Sequence, residues 1–103
     1  MPSNNSIIES VILTIKQNQT APFLQAFTQA QQILITQTGY ISHSLHQCIE
    51  NPHQFLLTIT WKTLKNHTHD FKQSKDYQQW KTLLHHFYDP FPKVLHYKKC
   101  FHE

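Results

Sequence analysis

The sequence has one glycine, two cysteines and no apolar run long enough to cross a membrane. So little glycine, with only five prolines in 103 residues, is not typical of a disordered or low-complexity chain. The opening residues MPSNNS have neither a basic start nor an apolar core, so we expect no signal peptide. Cys48 and Cys100 lie outside any CxxC pattern, and we therefore expect two reduced thiols in a cytoplasmic protein.

Charged residues are also few, at 15% of the chain, and the formal net charge is +3. Lys98 and Lys99 are the only adjacent basic pair, and no nucleic-acid-binding motif is present, so we expect no nucleic-acid partner. Hydrophobic residues make up 39% and aromatic residues 13%, which is enough for one modest core. The sequence predicts a disordered tail at residues 1–6 and a single domain at residues 7–102.

Hydrophobic periodicity predicts the order of strands and helices. Residues 6–16 alternate, with Val11 and Leu13 on the apolar face, and residues 20–36 have apolar side chains at helical spacing. Gly39 stands where a left-handed C-terminal cap is expected. Two further strands are predicted at 40–50 and 53–61, joined by a turn at Asn51–Pro52. They are followed by a short helix at 64–72, a helix at 75–88 that Ser74 caps, and a last strand at 92–101.

The order β-α-β-β-α-β predicts an α+β fold, the ferredoxin-like sandwich of a four-stranded antiparallel sheet with two helices on one face. The other face of this sheet also carries apolar side chains, of which Ile12 and Leu56 are examples. A small chain that leaves such a face uncovered is typical of a subunit that associates with a copy of itself. We therefore predict a homodimer formed through the open face of the sheet.

The stretch TITWKTLKNHTHDFKQSKDYQQWKTLLHHFYDPFPKVLHY resembles the second half of the antibiotic biosynthesis monooxygenase domain. The shared features are a strand ending in Trp, a helical segment with His and Phe, and a Ser-x-x-Tyr-x-x-Trp helix. TGYISHSLHQ fits the strand after the first helix, so the resemblance covers about residues 7–101. It implies a dimeric α/β barrel with a pocket between sheet and helices. It also implies oxidation of a small aromatic, phenolic or quinol substrate by O2, without metal or flavin.

His67 is the candidate catalytic residue. His67 and Phe71 are four residues apart and share a helical face, so both are predicted to line the pocket. A histidine there suits the task of orienting or deprotonating a phenolic hydroxyl. The alternative is that His67 is a surface residue on a short helix.

Trp61, Trp80, His85 and His86 are the other candidate substrate-binding residues. The two tryptophans are suited either to stacking on a flat ligand or to core packing. Adjacent histidines diverge by about 100° on a helix, and no HExxH or two-His-carboxylate pattern is present, so we predict no metal site. The alternative role for His85 and His86 is to interact favourably with the helix dipole.

Two other functions stay open at this stage. One is a non-catalytic dimeric module that binds a small hydrophobic ligand. The other is haem binding or degradation, which a branch of the same family performs with an Asn, a Trp and an iron-ligating His. Alignment puts Ser10, Phe71 (or Asp70) and Lys81 at those places, none of which replaces the family residue. His85 remains an alternative iron ligand if the alignment is out of register.

Overall fold

The structure, a computed structural model, describes residues 6–101. The predicted tail at residues 1–6 lies outside this range apart from Ser6. The main elements are β1 (Ile7–Thr14), α1 (Thr20–Leu34), β2 (Tyr40–Gln47), β3 (Gln54–Trp61), α2 (Lys75–Leu84) and β4 (Val94–Lys98). The strands form one antiparallel sheet in the order β2-β3-β1-β4. This confirms the predicted ferredoxin-like fold.

The central strand β1 determines which side chains face the helices. Val11 and Leu13 are buried on this covered face, as the alternation predicts. The register places Glu9 opposite Ile59 on β3 and opposite His96 on β4. Side chains of paired residues lie on the same side of a sheet, so Glu9 and His96 also belong to the covered face.

The helix α1 packs its apolar stripe on the sheet. Phe23, Phe27, Ala30 and Leu34 are all buried there, as their spacing predicts. The helix ends at Leu34, two residues before the predicted end. Gly39 has a φ of 81°, but it stands immediately before β2 rather than at the helix end.

Gly39 also makes room for Asn66. A Cβ atom at residue 39 would lie 2.1 Å from Asn66 Oδ1, so a larger residue there would displace Asn66. The Asn66 carboxamide accepts from the Thr63 backbone N–H at 3.0 Å and donates to Asp70 Oδ2 at 3.0 Å. These contacts hold the start of the segment that carries His67.

The second helical region differs in detail from the prediction. The short helix is a π-helix at Asn66–Phe71, and Ser74 caps α2 as predicted by accepting the Tyr77 N–H at 3.1 Å. The α-helix ends at Leu84 and continues as a 3-10 turn at His85–Phe87, not as the predicted helix to residue 88.

Pairing with the end of β1 accounts for the early helix end. The Asp89 N–H donates to the Thr14 carbonyl at 2.9 Å, and the Lys16 N–H donates to the Phe87 carbonyl at 2.9 Å. These bonds require an extended chain, which an α-helix through the same residues would prevent.

The opposite face of the sheet is uncovered, as predicted. Its large apolar side chains are 40–54% exposed, namely Ile8, Ile12, Leu56, Leu95 and Tyr97. A homodimer through this face stays a prediction. Within residues 6–101, no helix is both long and apolar enough to span a membrane.

Candidate active site

A cavity of about 90 Å³ lies between the covered face of the sheet and the C-terminal half of the chain. Apolar side chains of β1 and β3 form its floor. The residues that line it are Glu9, Val11, Leu13, Leu57, Ile59, His67, Phe71, Lys72, Tyr77, Trp80, His85, Tyr88, Phe91, Pro92 and Val94. The cavity therefore combines a mostly apolar surface with a few polar groups, as small-molecule sites do.

Glu9 is the buried carboxyl group of this cavity. Only 6% of it is exposed, and its Oε1 accepts the Trp61 indole N–H at 2.9 Å. Burial raises its pKa from 4.5 to about 7, against the opposing effects of the Trp61 hydrogen bond and the positive charge of Lys72. Glu9 therefore changes protonation state near neutral pH.

His67 lies beside Glu9 and is also buried, with 3% exposed. Its Nε2 is 3.3 Å from Glu9 Oε1, and its ring stacks on Trp61 at 5.8 Å between centroids and 22° between planes. Burial, with the nearby His96 and Lys72, lowers the pKa of His67 from 6.5 to about 4. His67 is therefore a neutral imidazole over the physiological pH range.

His96 extends the contact from His67 to the edge of the sheet. Its Nε2 is 2.8 Å from His67 Nδ1, and β4, which carries it, is the edge strand beside β1. His96 is exposed, whereas Glu9 and His67 are buried. Glu9, His67 and His96 thus form a continuous chain of titratable groups from the cavity to solvent, which we name the Glu-His-His chain.

Each contact in the Glu-His-His chain has room for one proton. In one arrangement a cationic His96, protonated on both ring nitrogens, donates to His67 Nδ1, and His67 Nε2–H donates to the Glu9 carboxylate. In the other arrangement protonated Glu9 donates to His67 Nε2, and His67 Nδ1–H donates to a neutral His96. Moving each proton along its own contact converts one arrangement into the other, because an imidazole both donates and accepts. The chain is therefore built to transfer a proton.

Aromatic rings form the wall opposite the sheet. Phe71 lies edge-on to Trp80, with 5.8 Å between centroids and 75° between planes, and edge-on to Tyr77 at 5.2 Å and 80°. Tyr88 and Phe91 continue the wall, and Phe91 is 65% exposed at its rim. Such a wall suits a flat ring, which gains from both burial and stacking.

The structure brings most of the predicted site residues together. His67, Phe71, Trp80 and His85 line the cavity. Trp61 does not line it; its buried indole lies behind Glu9, which it positions.

His86 does not line the cavity. It is exposed and contacts Phe87 at 4.1 Å between centroids, because residues next to each other in the 3-10 turn point in different directions. Cys48 and Cys100 are both free and do not line the cavity either. Within residues 6–101, no group of three or more His, Cys, Asp or Glu side chains has the geometry to hold a metal ion.

Glu9 and His96 were missed as site residues, although the sequence carries a signal for Glu9. Glu9, Val11 and Leu13 follow one another at intervals of two residues, so the alternation of β1 places the Glu9 carboxyl group on the apolar face. A charged residue in such a position is rarely buried without a reason. His96 has no comparable signal, because its role depends on the register between β1 and β4.

Comparison with known proteins gives relatives of similar length. The chain is 47% identical over 90 residues to the uncharacterized protein YczJ of Bacillus subtilis (strain 168), covering 87% of this chain and 95% of that protein. A candidate antibiotic biosynthesis monooxygenase from Bordetella bronchiseptica has a solved structure with a TM-score of 0.89 at 30% identity, covering 94% of this chain and 99% of that one.

A third relative shares the fold alone. SnoaB, a cofactor-independent oxygenase from Streptomyces nogalater, superposes with a TM-score of 0.75 at 12% identity, covering 96% of this chain and 95% of that one.

The family model described as antibiotic biosynthesis monooxygenase matches residues 6–83, which include Glu9, His67 and the aromatic wall up to Trp80. The chain belongs to the antibiotic biosynthesis monooxygenase family.

Proposed function

We propose that this protein is a cofactor-independent monooxygenase that acts with O2 on a small phenol or quinol. The observation that carries the proposal is the buried Glu9–His67 contact at the polar end of an aromatic-walled cavity. Family membership supports the reaction class, and SnoaB is a cofactor-independent oxygenase with the same fold. Fold alone does not determine chemistry, so the roles below are derived from the residues of the cavity.

Glu9 is the general base in this proposal. Its pKa of about 7 is close to neutral pH, where a base is effective in taking a proton and in returning it. His67 was the predicted base, but its pKa of about 4 makes it a weak one. The neutral His67 instead contacts Glu9 through Nε2 and His96 through Nδ1, so it orients the carboxyl group and relays its proton.

His96 connects the base with solvent. Glu9 takes up and gives back a proton in each turnover, and exchange of this proton with solvent needs a path because Glu9 itself is buried. The 2.8 Å contact between His67 and His96 offers a route that does not require the cavity to open. His96 is therefore a proton-transfer residue in the proposal, and it does not touch the substrate.

The reaction needs only substrate and O2. Glu9 takes the hydroxyl proton, and the phenolate passes one electron to O2, which gives a phenoxyl radical and superoxide. Their recombination forms a carbon–oxygen bond, and protonation gives a hydroperoxide. Loss of the ring-carbon proton and cleavage of the O–O bond release water and leave a second carbonyl, so a phenol and O2 become a quinone and water. The protein binds, deprotonates and excludes solvent.

The size of the cavity limits the substrate. A cavity of about 90 Å³ is smaller than the roughly 150 Å³ of an apolar cavity that holds benzene. The substrate is therefore a single ring, part of which extends past the exposed Phe91 at the rim.

Haem, the competing ligand, is much larger than this cavity. Ser10 lies on the uncovered face of the sheet, beside Leu95 and Thr58, rather than in the cavity. Lys81 is exposed, with its Nζ 5.9 Å from the centre of the Tyr77 ring. His85 does line the cavity, but it faces a space suited to one ring. These observations favour the phenol or quinol over haem.

The proposed active form is a homodimer. The exposed apolar residues of the uncovered sheet face support the dimer. A second copy would bury these residues, just as the helices bury the apolar residues of the opposite face. The cavity lies wholly on the covered face and is lined within one chain. Dimer formation accordingly supports stability, while each subunit carries its own site.

Oxygen uptake tests the proposed reaction. Purified metal-free protein is assayed against single-ring phenols and quinols, with Glu9→Gln as the informative variant and His86→Ala as a control outside the cavity. We expect uptake by the wild type and by His86→Ala, and a loss of about 10²–10⁴-fold in Glu9→Gln. Equal uptake in Glu9→Gln would overturn the role of Glu9. Absence of uptake with every substrate, despite ligand binding, would identify a non-catalytic binding module.

A further inference from the structure

The cavity contains few groups that carry a formal charge at neutral pH. Burial lowers the pKa of His85, as it does that of His67, so both imidazoles are neutral. Burial raises the pKa of Tyr77 and Tyr88, so both phenols keep their protons. The remaining titratable side chains that line the cavity are Glu9 and Lys72. Among residues 6–101, Lys72 is therefore the one cation that lines the cavity.

The charge of Lys72 acts on groups from several elements. It lowers the pKa of Glu9 on β1, of His67 on the π-helix, of His85 on the 3-10 turn and of His96 on β4. An ammonium group that affects all four lies within electrostatic range of the Glu-His-His chain and of His85.

Lys72 lacks a carboxylate partner within salt-bridge distance in the described part of the chain. The ion pairs there are His67 with Glu9 and His69 with Asp70. Lys72 is exposed, so its ammonium group is accessible at the rim. A cation that lines an apolar cavity without an acidic partner is suited to pair with an anionic ligand.

We propose that the cavity binds a single-ring carboxylic acid as its anion, with the ring against the aromatic wall and the carboxylate paired to Lys72. This proposal names the substrate class of the site to which we assigned the monooxygenase reaction, and it rests on that function for its relevance to turnover. The carboxylate stays at the rim, near the exposed Lys72, while the ring lies in the cavity against Phe71 and Trp80. This arrangement keeps the charged group partly in water, so that its desolvation is incomplete.

The proposal predicts weaker anion binding at higher pH. The other groups at the polar end are neutral around pH 7, except Glu9, whose pKa is about 7. As the pH rises through that value, Glu9 becomes a carboxylate and repels the carboxylate of the ligand. Affinity for the anion therefore falls between about pH 6 and pH 8, while affinity for a neutral ligand of the same shape changes less.

Calorimetric binding of benzoate and of benzamide, its neutral isostere, tests the assignment without any need for turnover. The variants are Lys72→Gln and, as a matched control, Lys75→Gln, which removes an exposed lysine that does not line the cavity. Both positions are exposed, so both variants are expected to fold like the wild type. We expect the wild type and Lys75→Gln to bind benzoate roughly tenfold more tightly than benzamide at low salt.

Loss of this preference in Lys72→Gln alone would support the proposal. A preference that survives in Lys72→Gln, equal affinity for the two ligands in the wild type, or no binding of benzoate up to about 10 mM would each overturn it. The monooxygenase reaction is tested separately, by oxygen uptake with neutral and carboxylated phenols. Benzoate binding through Lys72 without any uptake would keep the anion site and remove the oxygenase function. Oxygen uptake with phenols but no preference for benzoate would keep the oxygenase function and remove the anion site.

Discussion

The two faces of one sheet differ in almost every physical property. The covered face packs against α1 and α2 and contains the buried Glu9 and His67. In the part of the chain that the structure describes, the uncovered face has no buried titratable side chain and exposes apolar side chains such as Ile12 and Leu56. Since residues of β1 alternate between the two faces, Glu9 and Ile12 are close along the chain but lie in opposite environments.

This difference separates chemistry from association. A low-dielectric environment that moves a carboxyl pKa to about 7 exists on the covered face, where the helices exclude water. The uncovered face lacks such a cover within one chain. We interpret the covered face as the site of reaction and the uncovered face as the surface that a second copy covers.

The largest expected difference between the faces is in core packing. Trp80→Ala, on the covered face, should lower the free energy of unfolding by about 3–5 kcal/mol, because it leaves a large hole beside Phe71. Urea unfolding by circular dichroism measures this loss. Ile12→Ala is the control on the uncovered face, where Ile12 is 54% exposed, and at low protein concentration it should cost about 1 kcal/mol or less. Similar losses in the two variants would contradict the assignment of the core to one face.

The next effect concerns the stability cost of ionising Glu9. Its pKa is raised from 4.5 to about 7 on folding, so the stability it contributes is present below 4.5 and is lost as the pH rises to about 7. Gln at this position does not titrate. The unfolding free energy of Glu9→Gln relative to wild type should therefore increase by about 3 kcal/mol between pH 4.5 and pH 8.

Urea unfolding of the two proteins at several pH values measures this change. His67 has the opposite dependence, since the stability linked to its lowered pKa is present above 6.5 and is lost as the pH falls toward 4. Because His67 is in both proteins, its contribution largely cancels in their difference. If the difference in unfolding free energy between variant and wild type does not vary with pH, the pKa of Glu9 is not raised in the folded protein.

The uncovered face is tested by its role in association. Ile12→Asp places a charge among the exposed apolar residues and should convert a dimer into a monomer, halving the mass in sedimentation equilibrium. Gln25→Asp, which places the same charge at an exposed position on α1 and outside this face, is the matched control and should leave the mass unchanged. A wild-type protein that is monomeric at all concentrations would contradict the proposed dimer.

The smallest expected effect is on proton transfer through His96. His96→Gln should lower the rate of oxygen uptake roughly tenfold, and imidazole added to the solution should restore part of it, because a free imidazole replaces the missing proton carrier. His86→Gln, at an exposed position that does not line the cavity, is the control. A His96→Gln variant with normal activity, or with lost activity that imidazole does not restore, would remove His96 from the proton path.

The sequence predicted the fold more completely than the site. Period-2 and helical patterns are repeated over many residues, so the order of elements could be derived with the correct cap at Ser74. The residue at which α2 ends could not be derived, because it depends on pairing between Asp89 and Thr14, which are far apart in sequence.

The site depends even more on long-range contacts. His67 and Phe71 were found because they are neighbours on one helical turn. The contact between His67 and His96 joins residues 29 positions apart and follows from the register of β4, which no local pattern encodes. The protonation behaviour of Glu9 and His67 likewise results from burial, which is a property of the folded chain. His86 shows the converse, since its place beside His85 in the sequence did not bring it into the cavity.

A titration of the Glu9 side-chain carboxyl by carbon-13 NMR tests the central claim most directly, with Glu9→Gln to assign the signal. The account predicts a midpoint near 7, because the covered face holds this carboxyl group away from water and beside a neutral His67. A midpoint at the ordinary value of about 4.5 would mean that Glu9 is solvated. The covered face would then contain no base poised for the proposed reaction.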